Sequence, residues 1–282
     1  ADIFSSILSK TKIHVDIVKG YHLPSTVDPN SLVVTSSISG NTIETLSVLD
    51  SAYKSRCNII AFSGGGKMQE YCIKNKIEHR ISPQIHSPRA SFTGFLYVIL
   101  KVLNPIIQIK NQDILDSIKE LENLGKLIAS HNLNEKNPSL SLADWISGIP
   151  IIYYPFGLQA AAIRFKNSLQ ENAKIHAMAE DVLEASHNGI VAWEKKSSVQ
   201  PIIIRGEDDY HKTKERWDIF KEYFDENQID YKEILSIRGN ILSKLINLIY
   251  LLDYSTIYRA ALSKVDPSPI SAIEYIKRKS QQ

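Results

Sequence analysis

The sequence predicts an α/β protein made of two successive parallel sheets, each flanked by helices in an αβα sandwich. Three observations lead there. Short apolar, β-branched runs alternate with stretches of helical period, the pattern of a parallel sheet covered on both faces. The alternation stops at Asn132-Leu-Asn-Glu-Lys-Asn-Pro-Ser139, which has the composition of a linker, and then restarts. A chain of 282 residues can also hold two domains of ordinary size. The expected organisation is an N-terminal domain over 1–131, a linker over 132–141 and a C-terminal domain over 142–282.

The elements follow in order. The chain opens with Ala1 and a helical pattern of Ile3, Phe4, Ile7 and Leu8. Strands are expected over 13–18, 32–35, 58–62 and 77–81, where apolar and β-branched residues cluster. Helices are expected between them over 42–54 and 67–74. Pro88 is placed as a first-turn proline of a long apolar helix reaching about 102, and a more polar helix follows over 113–130. In the second half, strands are expected over 149–154, 191–193, 202–205 and 231–235. Helices are expected over 159–174, 209–225, 241–262 and 269–278, with Gly239-Asn240 stopping a strand and capping the strongly apolar helix after it.

Composition narrows the function classes. An apolar fraction of 43% and a charged fraction of 23% are those of a soluble globular protein. A net charge of +2 supplies no basic field for nucleic acid. The longest apolar stretches, 92–109 and 241–252, are broken or ended by Lys101, Pro105, Lys244 and Asp253, so no membrane span is expected. Two cysteines, Cys57 and Cys72, lie in strand and helix patterns and read as reduced core thiols. The opening residues show no secretory-leader pattern, and a cytoplasmic location is expected. The eight histidines show no pair at metal-site spacing with cysteine or carboxylate partners, so neither metal nor cofactor is expected.

The stretch from Val33 to Leu46 carries the most chemistry. An apolar run ends in a hydroxyl-rich turn, and a helix pattern starts at Ile43, Leu46 and Leu49. The turn offers Ser36, Ser37, Ser39 and Thr42, and Gly40 permits close backbone approach to a ligand. The first turn of a helix has unpaired N–H donors and a partial positive charge, which suits an anion such as phosphate. The alternative is ligand-free: Asn41 as N-cap with Glu44 as its capping-box partner. Other segments divide in the same way. Ser63-Gly-Gly-Gly-Lys67 lacks P-loop spacing and reads as a tight turn. Arg89 in Ser-Pro-Arg-Ala is either a surface residue or a guanidinium aimed at an oxyanion. Glu171 and Lys174 in Glu-Asn-Ala-Lys are spaced for an ion pair, and His187 sits near a turn.

Ser37-Ile-Ser-Gly-Asn-Thr-Ile-Glu-Thr45 resembles the S-x-S-G-x-T-x-E-T phosphosugar loop of sugar isomerase (SIS) domains, with every fixed position present. Along the whole chain, that loop, S-P-R-A, E-N-A-K, S-H-N-x-I-x-x-W-E and V-D-P-x-P with a C-terminal I-x-x-I-K-R resemble, in order, the bifunctional phosphoglucose/phosphomannose isomerases. The resemblance implies two SIS subdomains and reversible isomerisation of glucose 6-phosphate and mannose 6-phosphate with fructose 6-phosphate. It implies Glu171 as catalytic base, His187 and Lys277 in ring opening, and Arg89 facing the enediolate. Ser37, Ser39 and Thr42 are implied as phosphate ligands. It also implies a homodimer in which the histidine crosses the interface.

The residue types suit that chemistry. Opening a hemiacetal needs an acid and a base, and histidine titrates near neutrality. Moving a proton between C2 and C1 needs one base that reaches both carbons. A guanidinium stabilises oxyanion charge as it develops. A non-catalytic sugar-phosphate sensor and an isomerase of another phosphosugar are the alternatives. A sensor would need none of Glu171, Arg89 and Lys277, and an assay with fructose 6-phosphate separates all three readings. The family's glycine-rich loop would precede Ala1. The natural polypeptide is therefore expected to carry about one further strand–loop unit and a leading helix, ~40 residues.

Overall fold

The computed structural model describes residues 1–82, 84–85 and 87–280. The chain divides into two compact units: Thr11–Ile109, and Ala1–Lys10 together with the chain from Lys110 onward. Helix α1 (Asp2–Leu8) opens the chain and belongs to the second of these.

The Thr11–Ile109 unit contains β1 (Leu32–Ser37), α2 (Ile43–Lys54), β2 (Asn58–Ser63), α3 (Gly66–Asn75), β3 (Glu78–Ile81) and α4 (Phe92–Ile107). The strands pair in the order β1-β2-β3, all parallel. In β1, Val33, Thr35 and Ser37 are buried while Leu32, Val34 and Ser36 are exposed. The register sets Ser37 beside Ser63, at the carboxyl end of the strands, where open α/β sheets receive ligands. Leu49, Ala61, Met68 and Cys72 form one apolar cluster, and Val33, Val48 and Ala52 form another.

Two expectations change in this unit. The strand over 13–18 does not form; that segment is irregular chain. Its apolar character is used in packing, since Val18 lies against Val33, Val48 and Ala52. The helix expected from Pro88 begins at Phe92. The carbonyl of Ser87 accepts both the Ser91 N–H (3.0 Å) and the Ser91 hydroxyl (2.8 Å), which closes a separate turn over 88–90. Arg89 therefore belongs to the turn and not to the helix.

The other unit continues with α5 (Asn111–Ile128), α6 (Pro138–Trp145), β4 (Ile149–Tyr154), α7 (Gln159–Ser168), β5 (Met178–Asp181) and α8 (Val182–Ala185). It ends with β6 (Val199–Gly206), α9 (His211–Glu226), β7 (Lys232–Ser236), α10 (Ile241–Leu262) and α11 (Ser271–Ser280). Its sheet is also all parallel, in the order β5-β4-β6-β7. Pro201 to Ile204 in β6 are buried without a break, as expected of a strand covered on both faces. Helix α10 packs against α5, α6 and α7, which is why it is apolar nearly all round. Tyr153, Ile203, Trp217, Phe220 and Phe224 pack as an aromatic-rich cluster between sheet and α9.

Here too the structure departs from pattern reading. The segment over 132–141 contains the start of α6. Asn137 caps that helix through its side chain, which accepts the Leu140 N–H at 3.0 Å. Its amide donates to the carbonyls of Ile128 and Asn132, so a polar stretch is a buried helix junction. The contact boundary falls after Ile109 because α5 packs on α10. The strand expected over 191–193 is part of a 3₁₀ helix, Gly189–Glu194. Ile190 and Trp193, three residues apart, both pack on the aromatic cluster, which is a helical spacing. Strand β5 escaped pattern reading because Met-Ala-Glu-Asp is a short edge strand without β-branched residues.

Candidate active site

The turn after β1 is closed by its own hydroxyls. Ser37, buried at the strand end, has its Oγ 2.8 Å from Thr42 Oγ1 and accepts the Gly40 N–H at 3.1 Å. Ser39 and Thr42 are exposed. Ser39 Oγ accepts the Asn41 N–H at 3.3 Å. Thr42, not Asn41, is the N-cap of α2, and no side chain caps that helix. Its first-turn N–H groups therefore keep the orphan donors of any helix start. Asn41 has another duty: its Oδ1 accepts the Lys67 N–H at 3.1 Å, at the start of α3. Glu44 accepts the hydroxyl of Tyr21 at 3.1 Å in place of a capping-box bond.

The Ser63–Lys67 segment supports this turn. Gly64 N–H donates to Ile38 O at 2.9 Å, and Met68 N–H donates to Gly40 O at 2.9 Å. Gly40 has a φ of +67°, and a Cβ there would come within 1.8 Å of Gly65 O. Gly66, at φ +68°, would place a Cβ 2.6 Å from Ser39 O. The glycine run is thus the tight turn that the hydroxyl turn rests on. Ser63 Oγ donates to Gly65 O (2.8 Å), accepts the Gly65 N–H (3.1 Å) and contacts His79 Nε2 (2.8 Å). Burial holds the His79 imidazole below its ordinary range. Arg89, half-buried, lies in the turn before α4.

Glu171 occupies a distinctive backbone. The helix expected over 159–174 is α-helical only to Ser168. Leu169–Ala173 is π-helical, and Lys174 ends it in the left-handed region at φ 57°. Single π turns inside helices are frequent at functional sites. The turn is anchored from both sides of Glu171. Asn172, buried, donates to Thr256 Oγ1 on α10 at 2.8 Å. Just before it, Asp253 of α10 accepts from Arg164 Nε (2.9 Å) and Nη2 (2.6 Å) and from Ser168 Oγ (2.9 Å). Glu171 itself is half-buried. The backbone that carries this carboxylate is thereby fixed to α10, the kind of support a positioned base requires.

His187 is exposed, just past α8, and its N–H donates to Glu184 O at 2.9 Å. Asp181 caps α8 by accepting the Leu183 N–H at 2.8 Å. Two residues beyond His187, a Cβ at Gly189 would come within 2.5 Å of Glu180 Oε2. Burial, and then Glu184, push the Glu180 carboxyl up. Trp193 donates to Tyr153 Oη at 2.9 Å, and burial raises that phenol to about 12. Lys277 lies on α11, which has no buried residue. Ser37, Ser39, Thr42 and Arg89 belong to the Thr11–Ile109 unit. Glu171, His187 and Lys277 belong to the other. The structure brings Ser37 and Thr42 into direct contact. Sequence reading missed Asn172, Asp253 and the Gly65–Gly66 support, because their roles are long-range contacts with no local signature.

Among the described residues, no group of three or more His, Cys, Asp and Glu side chains could hold a metal ion; His86 lies outside them. Nor, among the described residues, is any helix long and apolar enough to cross a membrane. Both cysteines are free thiols, with Cys72 buried.

Residues 135–279 match the family described as bacterial phospho-glucose isomerase C-terminal SIS domain. The chain is 32% identical to a bifunctional phosphoglucose/phosphomannose isomerase of Caldicellulosiruptor bescii, over 97% of this chain and 83% of that one. It is 28% identical to the enzyme of the same name from Thermoplasma acidophilum, over 98% and 84%. In fold it is similar to the C-terminal domain of glucosamine-fructose-6-phosphate aminotransferase from Francisella tularensis. That match has a TM-score of 0.70 at 15% identity, over 95% of this chain and 82% of that one.

Proposed function

This chain belongs to the bifunctional phosphoglucose/phosphomannose isomerase family, and we propose that it interconverts glucose 6-phosphate and mannose 6-phosphate with fructose 6-phosphate by ring opening and a cis-enediol. One observation carries the reading beyond a phosphosugar sensor: Glu171 stands on a π turn tied to α10. A sensor has no use for a carboxylate on a backbone so firmly anchored; a base moving a proton between two adjacent carbons does.

The phosphate is taken by Ser37, Ser39 and Thr42 with the first-turn N–H groups of α2. A hydroxyl-lined helix start binds a dianion through hydrogen bonds and the helix dipole. Binding at that remote end orients the reacting carbons. His187 and Lys277 open the ring, one proton going to the ring oxygen and one leaving O1. Glu171 takes the C2 proton of the aldose, and electron density moves onto O1 as the enediolate forms. Arg89 stabilises that charge. Glu171 then returns a proton to C1 while the O2 hydroxyl gives up its proton and O1 takes one, so that C2=O forms as the C1=C2 bond is lost, giving the ketose. One carboxylate thus serves both carbons in the transfer of the carbon-bound proton.

His187 is exposed on a short, well-capped turn, which suits a group lent to a neighbouring subunit. The protein is read as a homodimer with shared sites, acting in the cytoplasm, where its free thiols stay reduced. The domains are read as 1–131 and 142–282, joined over 132–141; the matched C-terminal family begins at 135.

The test is solvent deuterium exchange into C2 of glucose 6-phosphate, with fructose 6-phosphate formation followed in parallel. The unaltered protein exchanges and isomerises. Glu171→Gln binds the sugar phosphate but loses ~10²–10⁴-fold or more in rate, the range of general acid–base catalysis. Appreciable exchange in Glu171→Gln would exclude it as the base.

A further inference from the structure

We infer that Lys174 is a positioning residue that holds the C-terminal arm bearing Lys277 against the end of the turn bearing Glu171; the inference rests on the ring-opening role proposed for Lys277. Lys174 is exposed, yet its ammonium serves three main-chain carbonyls. Nζ donates to Glu171 O at 2.5 Å, to Pro269 O at 2.7 Å and to Pro267 O at 3.4 Å. The first acceptor lies in the π turn. The other two lie in the strap between α10 and α11, ninety-three and ninety-five residues further along.

The strap is built to transmit position. Pro267 and Pro269 limit its backbone freedom. Asp266 turns it by accepting the Ser268 N–H at 2.8 Å. That hydrogen bond, helped by the Lys174 ammonium, holds the Asp266 carboxyl below its usual range. Ile270 O accepts the Glu274 N–H at 3.0 Å, joining strap to helix. Helix α11 has no buried residue, so its placement rides on the segment before it. Lys174 reaches that segment because it ends the π turn in the left-handed conformation at φ 57°. A lysine is suited to this duty. A tetrahedral ammonium can donate three hydrogen bonds to carbonyls on different strands of chain, and charge-assisted bonds are the stronger kind.

The consequence is a division of labour within Glu-Asn-Ala-Lys: Glu171 acts on substrate, Asn172 fixes its turn to α10, and Lys174 fixes the arm carrying Lys277. Lys174→Met keeps the aliphatic stem and removes every one of these donors. With the fold intact, kcat is expected to fall roughly 10- to 100-fold, the scale of a ~1 Å misplacement. KM should change little, because phosphate binding is assigned elsewhere. Amide hydrogen exchange should quicken over 266–280 and stay unchanged over 159–168. Open-chain substrate should recover part of the loss. Lys277→Ala should also lower kcat, and adding Lys174→Met to it should cost little more. Unchanged kcat in Lys174→Met, or fully multiplicative losses in the double variant, would overturn the inference while leaving the role of Lys277 standing. Full activity of Lys277→Ala would overturn that role and the inference with it.

Discussion

Ser37 and Thr42 hold each other across the turn after β1, Oγ to Oγ1 at 2.8 Å. The strand end and the helix start are thereby joined by two hydroxyls, with Gly40 N–H bound to the same Ser37 oxygen. This contact arranges the turn before any ligand arrives. Pre-organised donors bind an anion without the entropy of ordering the loop. Replacing both, as Ser37→Ala with Thr42→Val, should raise KM for glucose 6-phosphate by ~10–100-fold, on the scale of lost hydrogen bonds to a charged group. The fall in kcat should be smaller. Isothermal titration with fructose 6-phosphate checks it, and an unaltered Kd would remove these hydroxyls from the phosphate site.

Gly40→Ala tests the support beneath that turn. The added Cβ would sit 1.8 Å from Gly65 O, and the backbone is at φ +67°. Strain of this kind costs ~1–3 kcal/mol, and here backbone must also move aside. Reduced thermal stability is expected together with weakened sugar-phosphate binding. Gly20→Ala, with nothing near its Cβ, is the control. Equal behaviour of the two variants would contradict the assigned contact.

His187→Ala should slow ring opening more than proton transfer. Its side chain is exposed and lies outside the turn that holds Glu171. Open-chain substrate should bypass much of the defect, while cyclic substrate should show the full loss, ~10²-fold or more. Equal losses with both forms would end this assignment. Mixing His187→Ala with Glu171→Gln protein should restore part of the activity if sites are shared between subunits.

Acid should weaken the Thr11–Ile109 unit through His79. Burial lowers its folded-state pKa below the ordinary 6.5, so as pH falls the unfolded chain binds the proton first. The contribution of neutral His79 is whole above about 6.5 and is lost as pH falls through the folded-state value. His79→Gln keeps a donor for Ser63 but does not titrate there. Denaturant unfolding from pH 8 to pH 5 should show a shallower decline for His79→Gln than for the unaltered protein. Parallel declines would show that His79 does not couple to this unit's stability.

The sequence alone was sufficient for what is local and repetitive. Runs of apolar and β-branched residues located most strands, and the apolar stretch after Gly239-Asn240 located the helix Ile241–Leu262 to the residue, because elements covered by neighbours leave a local apolar trace. It also showed the hydroxyl turn at Ser37–Thr42, since a strand end, a run of serines and threonines and a helix start lie next to one another in the chain. Only the tertiary structure decided what depends on contacts between distant residues. The apolar run over 13–18 packs instead of pairing. Asn41 serves α3 rather than α2 because Lys67 N–H lies opposite it. The π turn under Glu171 has no pattern of its own: a helix can widen there because Asn172 reaches Thr256 and Arg164 and Ser168 reach Asp253, more than eighty residues away. Those bonds form only once α7 and α10 are packed together. The residue types were therefore readable from the chain, but the contacts that anchor the turn beneath Glu171 were not.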